Sequence, residues 1–163
     1  MLIRLKNKDS LLFDDFIFQC SIGKNGIKIK KKEGDYCTPK GTFSLKTLYY
    51  RPDRVQKPET EIITKKISKN MGWCNDPKNK KYNSLINIKE KMRYEKIYRQ
   101  DHKYNFLIVI DYNLKKPIPH KGSAIFIHLT NNYKPTAGCI ALKEKDLLIL
   151  LKLVNKKTKI KIS

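Results

Sequence analysis

Hydrophobic and polar positions alternate in short stretches along most of this chain, and a helical period occurs once, near the end. Residues 1–5 alternate apolar and charged side chains, as an edge strand does. Residues 11–22 hold Phe13, Phe16, Ile17 and Phe18 and read as one buried strand. Gly23-Lys24-Asn25-Gly26 is a turn signal and predicts a hairpin into residues 27–31. Gly34, Asp35, Pro39 and Gly41 break the pattern over 33–41, which predicts a loop. A period-two strand follows over 42–50, with Phe43, Leu45 and Thr47 on one face and Leu48 and Tyr50 on the other. After a polar, proline-containing stretch over 51–59, residues 61–67 predict another strand.

Residues 68–87 read as a long polar loop holding Trp73, Asp76, Pro77 and Tyr82. Loops of that length in a compact domain tend to be functional or disordered, and a lone Trp implies an anchor. Residues 90–101 fit a helix or an extended segment equally. Phe106-Leu107-Ile108-Val109-Ile110 is apolar without alternation and predicts a buried strand, and residues 124–129 predict another that bears His128. Leu147, Leu148, Leu150, Leu151 and Val154 stand at helical spacing, so 143–155 predict an amphipathic helix packed on a sheet. Residues 158–162 close with a period-two strand. The fold expected is mainly β with a few helices, in one domain over 1–163, without internal repeat or linker.

At 163 residues the chain is long enough to build its own core. No run of about 18 apolar residues is present, which argues against a membrane-spanning helix. The first residues lack the apolar core of a signal peptide. The net charge of +21 invites a nucleic-acid reading. Nearly all of it is lysine, however, in a chain also rich in Ile and Asn, a composition that AT-rich codons produce by themselves. No helix-turn-helix, zinc-finger or RNA-binding pattern accompanies it, so no specific nucleic acid is expected. Attraction to an anionic cell-wall or membrane surface remains compatible with the charge.

The four cysteines, at 20, 37, 74 and 139, form no C-x-x-C pair, so neither a structural zinc site nor another metal or cofactor is expected. Cys20 reads as a small buried hydrophobe. Cys37 and Cys74 either line a cleft or pair with each other. Cys139 is different. It follows Gly138, and ten residues separate it from His128. A free thiol titrates near about 8.5 and reacts as thiolate, and an imidazole beside it takes the proton and holds an ion pair. Gly138 allows close approach of a substrate carbonyl, and backbone amides of such a turn aim at a developing oxyanion. The Gly-Cys turn is expected to run into a helix whose N-terminus favours thiolate. His102 and His120 lie in charged surroundings and are expected to be solvated.

The segment Ala124-Ile125-Phe126-Ile127-His128 with Thr136-Ala137-Gly138-Cys139-Ile140 resembles the catalytic segment of the YkuD-type L,D-transpeptidases, which cross-link peptidoglycan. Their signature is a strand His, a spacer, then Ser/Thr-His-Gly-Cys and an apolar residue. Here the spacer is shorter, Ala137 replaces the second His, and Ala141 stands where an Arg is often found. Further pieces resemble the family in order: Glu33-Gly34-Asp35 with Thr38-Pro39-Lys40-Gly41-Thr42-Phe43, then Arg51-Pro52-Asp53-Arg54, Gly72-Trp73-Cys74-Asn75-Asp76-Pro77, Tyr82-Asn83 and Gly122-Ser123-Ala124.

The resemblance implies a β-sandwich, with Cys139 as nucleophile, His128 as base and Gly138 in the oxyanion turn. It implies peptidoglycan stem peptides as substrate and a place in the periplasm or cell envelope, for a domain expected to act as a monomer. Thr136 and Ala137 would line the site, although a capping role for Thr136 is equally open. One or two of the scarce arginines Arg51, Arg54 and Arg99 would replace the missing Arg as a clamp for substrate carboxylates. Trp73 and Tyr82 form either a cleft wall or a loop anchor. Two alternatives stand beside transpeptidation: a carboxypeptidase or amidase using the same pair, and a non-catalytic module that binds a cell-wall polyanion.

Overall fold

A computed structural model of the chain describes residues 1–29, 32–89 and 91–163. Its strands are β1 (Leu2–Lys6), β2 (Ser10–Phe13), β3 (Phe16–Ser21), β4 (Ile27–Lys28), β5 (Thr38–Pro39), β6 (Gly41–Tyr50) and β7 (Thr64–Lys66). They continue with β8 (Met71–Cys74), β9 (Leu85–Asn87), β10 (Tyr94–Lys96), β11 (Phe106–Ile110), β12 (Phe126–Leu129) and β13 (Ile140–Leu142). The helix α1 (Glu144–Leu153) and the strand β14 (Lys159–Ile162) complete the chain.

Eight of these strands close a ring in the order β11-β12-β13-β3-β2-β1-β14-β6, because β6 also pairs with β11. The closure makes the sheet barrel-like, where the family resemblance implied a two-sheet sandwich. Two long strands turn its corners. β6 uses residues 41–44 on β14 and residues 45–50 on β11, and β3 passes from β2 to β13 in the same way. A ring of paired strands leaves few open edges, which removes a common route to aggregation.

Two cores follow from which strands are covered on both faces. One core holds Ile3, Leu5 and Phe13 with Ile127, Ile140 and the α1 residues Leu147, Leu150 and Leu151. The second packs Leu107, Val109 and Phe126 under Trp73, Tyr104 and Ile97. Above that outer wall lies a three-stranded sheet in the order β10-β8-β9. This is why β11 and β12 are apolar without alternation, whereas β1 and β14, covered on one face, alternate.

Several expectations need correction. Residues 11–22 are a hairpin, not one strand: Asp14, in left-handed backbone at φ 49°, turns the chain between β2 and β3, a conformation Asp tolerates. The Gly23–Gly26 turn is present, but β4 does not fold back on β3. It pairs in parallel with β5, and Gly23 N–H donates to Thr38 Oγ1 at 2.9 Å. Lys30 and Lys31 of the expected hairpin lie outside the described residues. In β6 the faces do not alternate throughout. The register with β11 shifts between Leu48 and Leu45, so both reach the same core across an extra residue. The 68–87 loop holds β8 and β9, and the 90–101 segment, apart from Glu90, which lies outside the described residues, holds β10. Strands of three or four residues leave too little pattern to read.

Candidate active site

In the parallel register of β12 and β13, Ile127 faces Ile140 and His128 faces Ala141. Side chains alternate along a strand, so Phe126 and His128 share one face of β12, and Cys139 and Ala141 share the corresponding face beside it. That face is the outer wall, under the second core. Cys139 therefore leads into a strand, not a helix; α1 begins at Glu144, after β13. The three residues 140–142 are fully covered and complete the sheet between β12 and β3, which overrides the helical reading. Among the described residues no helix begins at Cys139 to favour the thiolate.

Hydrogen bonds supply what a helix does not. Cys139 Sγ donates to the Ala124 carbonyl at 3.2 Å, and Phe126 N–H donates to the sulfur at 3.3 Å. Ala124 is held in left-handed backbone, φ 54°, a strained state for alanine. Asn83 holds it there. Its Oδ1 accepts Ala124 N–H and Trp73 Nε1–H, and its Nδ2 donates to the carbonyls of Tyr112 and Asn113. The turn before Cys139 is fixed equally. Gly138, at φ 140°, donates its N–H to Thr136 Oγ1 (3.1 Å) and accepts from Thr38 Oγ1 (2.9 Å). Thr136 Oγ1 donates to the Cys139 carbonyl at 2.6 Å, bridging the turn instead of capping a helix.

His128 Nδ1 lies 2.8 Å from the Leu129 carbonyl. A carbonyl only accepts, so Nδ1 carries the hydrogen and Nε2 is the basic nitrogen. The Tyr104 ring meets the imidazole edge-on at 5.3 Å. Burial pulls the His128 pKa from 6.5 down to about 4; the Leu129 hydrogen bond opposes this, and the charges of Lys103 and Arg99 add to it. Such an imidazole is neutral at neutral pH. The resting imidazole is thus neutral, where residue types alone suggested an imidazolium.

This shift has a consequence for stability. An unfolded histidine titrates near about 6.5, so between pH 4 and 6.5 the unfolded chain binds the extra proton. The contribution of His128 is complete above pH 6.5 and is lost as pH falls toward 4. Urea unfolding across this window is expected to show a slope near about 1.4 kcal/mol per pH unit that His128→Gln lacks.

Cys139 and His128 line one cleft of about 370 Å³, together with Thr136 and Ala137. The structure adds three groups with no local sequence signal, Glu95, Lys103 and Tyr104, and brings to them Glu33 of the family-like Glu33-Gly34-Asp35 element and Arg99. The Tyr104 hydroxyl donates to Glu95, whose carboxyl is raised by burial. Of the arginines singled out, Arg99 alone reaches the cleft. Arg51 and Arg54 are placed behind it. Arg51, 2% exposed, forks onto Asp53 at 2.8 and 2.7 Å, donates to the Arg99 carbonyl and stacks on Tyr98 at 3.5 Å. Arg54 donates to the carbonyls of Gln100 and Asp101. Both clamp the loop that carries Arg99, Lys103 and Tyr104. Arg51→Lys keeps the charge but loses the fork. It is expected to cost about 2 kcal/mol, seen as a thermal midpoint lowered by roughly 4–8 °C.

Trp73 is a buried anchor, edge-on to Phe126 at 5.1 Å, and not a cleft wall. Tyr82 stands behind the cleft, donating to Glu33 Oε2 at 2.5 Å. All four cysteines are buried and none is in a disulfide, so Cys37 and Cys74 are not linked to each other. His102 Nε2 bonds the Thr130 carbonyl at 2.8 Å, away from the cleft. Among the described residues no three His, Cys, Asp or Glu side chains group to hold a metal, and no helix is long and apolar enough to cross a membrane.

No curated protein and no solved structure matches this chain at a significant level. The family model of the L,D-transpeptidase catalytic domain, YkuD, matches residues 3–162, which includes every residue of the cleft. The chain belongs to the YkuD L,D-transpeptidase catalytic domain family.

Proposed function

We propose that this protein is a cysteine-dependent acyl transferase acting on peptidoglycan stem peptides, an L,D-transpeptidase in which Cys139 is the nucleophile and His128 the base. The observation that carries the reading is the placement of a thiol and a tautomer-fixed imidazole on one face of β12 and β13, inside one cleft. Because the imidazole is neutral at rest, the Cys139 proton passes to Nε2 as sulfur attacks the carbonyl of the third, L-configured residue. The oxyanion draws on backbone N–H groups of the 138–139 turn, with Gly138 releasing Thr136 Oγ1. The imidazolium returns its proton to the amine of the departing D-residue, leaving a thioester. An acceptor amine then attacks the thioester, its proton passes to His128 and on to sulfur, and a 3→3 cross-link results. If water replaces the amine, the same steps make a carboxypeptidase. Such a substrate places the protein at the cell envelope.

The test is incubation with purified disaccharide-tetrapeptides and mass spectrometry of the products. Dimers lacking one terminal D-alanine are expected. Tripeptides alone would make the enzyme a hydrolase, and unchanged muropeptides would overturn the proposal.

A further inference from the structure

The charges along the cleft wall stand in a fixed order. Glu33 Oε2 accepts hydrogen bonds from Ser123 Oγ at 2.8 Å and from Tyr82, which pins the carboxylate beside residue 123. Cys139 Sγ comes next, bonded to residues 124 and 126. His128 follows. Lys103 stands at the far end, its carbonyl accepting Leu129 N–H at 3.0 Å, and its charge and that of Arg99 both reach the imidazole. The six steps from residue 123 to 129 span up to about 20 Å at about 3.3 Å each. The wall therefore reads carboxylate, thiol, imidazole, ammonium.

Neither end, Glu33 or Lys103, is held in an ion pair among the described residues, although the chain carries 36 lysines and arginines. The charge of Lys103 also reaches Asp101. The two bonds on Glu33 come from neutral hydroxyls and occupy one oxygen. Arg99 spends Nε and Nη2 on Asp101 but leaves its side chain 32% exposed in the cleft. Glu95, half-buried and bonded to Tyr104, feels the charges of both Arg99 and Glu33 and so lies between the ends. Asn75, which lines the same cleft, has a buried Oδ1 without a hydrogen-bond partner among the described residues. An acceptor left unpaired in this way costs stability unless a donor arrives.

We propose that this order orients the donor peptide: Glu33 receives a side-chain ammonium of the residue whose carbonyl is attacked, and Lys103 with Arg99 receives the free carboxylate of the residue that leaves. The inference rests on the acyl-transfer reading for the roles of Cys139 and His128. The chemistry agrees at each point. The attacked carbonyl lies at sulfur, the departing nitrogen at the imidazole that protonates it, and the departing residue's carboxylate one carbon further, toward Lys103. The reverse orientation sets the carboxylate against Glu33 and the ammonium against Lys103, two like-charge contacts.

The test uses three synthetic peptides ending in L-Lys-D-Ala: the parent, its Nε-acetyl form and its C-terminal amide. Affinity is measured by calorimetry on Cys139→Ala protein, and turnover on the active enzyme. Each cap is expected to weaken binding roughly ten- to hundredfold. Lys103→Gln, added to that background, should erase the penalty for the amide and keep that for the acetyl form; Glu33→Gln should do the reverse. Glutamine retains an acceptor for Tyr82 and Ser123, and the arm at the half-buried Lys103 stands even if Glu33→Gln fails to fold. Equal affinities for the three peptides, or penalties unchanged in the variants, would overturn the orientation. Binding penalties without turnover of any peptide would instead overturn the acyl-transfer reading and leave the charge order standing.

Discussion

Cys139→Ala is expected to fold and to turn over no substrate. The thiol is the sole nucleophile in the proposed chemistry, so nothing replaces it. Alanine keeps the backbone and Cβ, but it leaves Phe126 N–H without the sulfur and the Ala124 carbonyl without its donor. A buried group left unpaired costs about 1–3 kcal/mol, so the unfolding midpoint should fall modestly. Cys139→Ser separates the two effects. Its hydroxyl can still accept from Phe126 and donate to Ala124, so stability should be close to that of the parent. An alcohol is far harder to deprotonate than a thiol, and an imidazole held near pKa 4 is a weak base for it. Turnover should therefore fall by at least roughly a thousandfold. A serine variant with near-normal kcat would show that sulfur chemistry is not used.

The second large effect belongs to Gly138. At φ 140° it occupies backbone that side chains rarely adopt, and an added Cβ would stand 2.8 Å from the Cys37 carbonyl oxygen. The neighbour is backbone, itself held by the Thr38 and Gly138 contacts, so it yields only by moving the turn. Gly138→Ala is expected to cost about 2–3 kcal/mol, lowering the thermal midpoint by roughly 5–10 °C. Activity should fall further than stability, because the displaced turn carries Cys139; a shift near 1 Å alone removes about a hundredfold in rate. Gly34→Ala provides the comparison. Its φ is 74° with nothing within 4 Å of an added Cβ, so it reports the backbone cost without the clash. A Gly138→Ala enzyme no worse than Gly34→Ala in unfolding would refute the close approach.

The parts of the fold legible in the sequence are those with dense local pattern. Phe106–Ile110 and the His128 strand announce burial on both faces, and the Leu147, Leu150, Leu151 spacing announces α1. Ring closure has no such signature. The β1–β14 and β6–β11 pairings join segments far apart in sequence, and two-residue periodicity does not tell an open sheet from a closed one. The helix expected after Cys139 failed because Ile140-Ala141-Leu142 has little intrinsic preference and was taken by two waiting strand edges. At the site, the spacing of His128 and Gly138-Cys139 pointed to two residues that line one cleft, while the scarcity of arginine pointed equally to Arg51, Arg54 and Arg99, of which Arg99 alone lines it. Scarcity does not distinguish a guanidinium that meets ligand from one that holds a loop; that takes the positions of Asp53, Tyr98 and Arg99. Of the charged walls, Glu33 and Arg99 carried a sequence signal without a position, whereas Glu95 and Lys103 are unremarkable in their own neighbourhoods.

The parallel pairing of β1 with β14 ties the fold to an order of synthesis. Leu2 through Leu5 find their partners at residues 159–162, so β1 waits for β14. Until β14 leaves the ribosome, β6 and β1 each present an unsatisfied edge where it will sit. β12 and β13 leave the exit tunnel earlier, yet the inner core beneath them lacks Ile160 and Ile162 until that moment. A nascent chain stalled before β14 therefore carries Cys139 on an unclosed sheet.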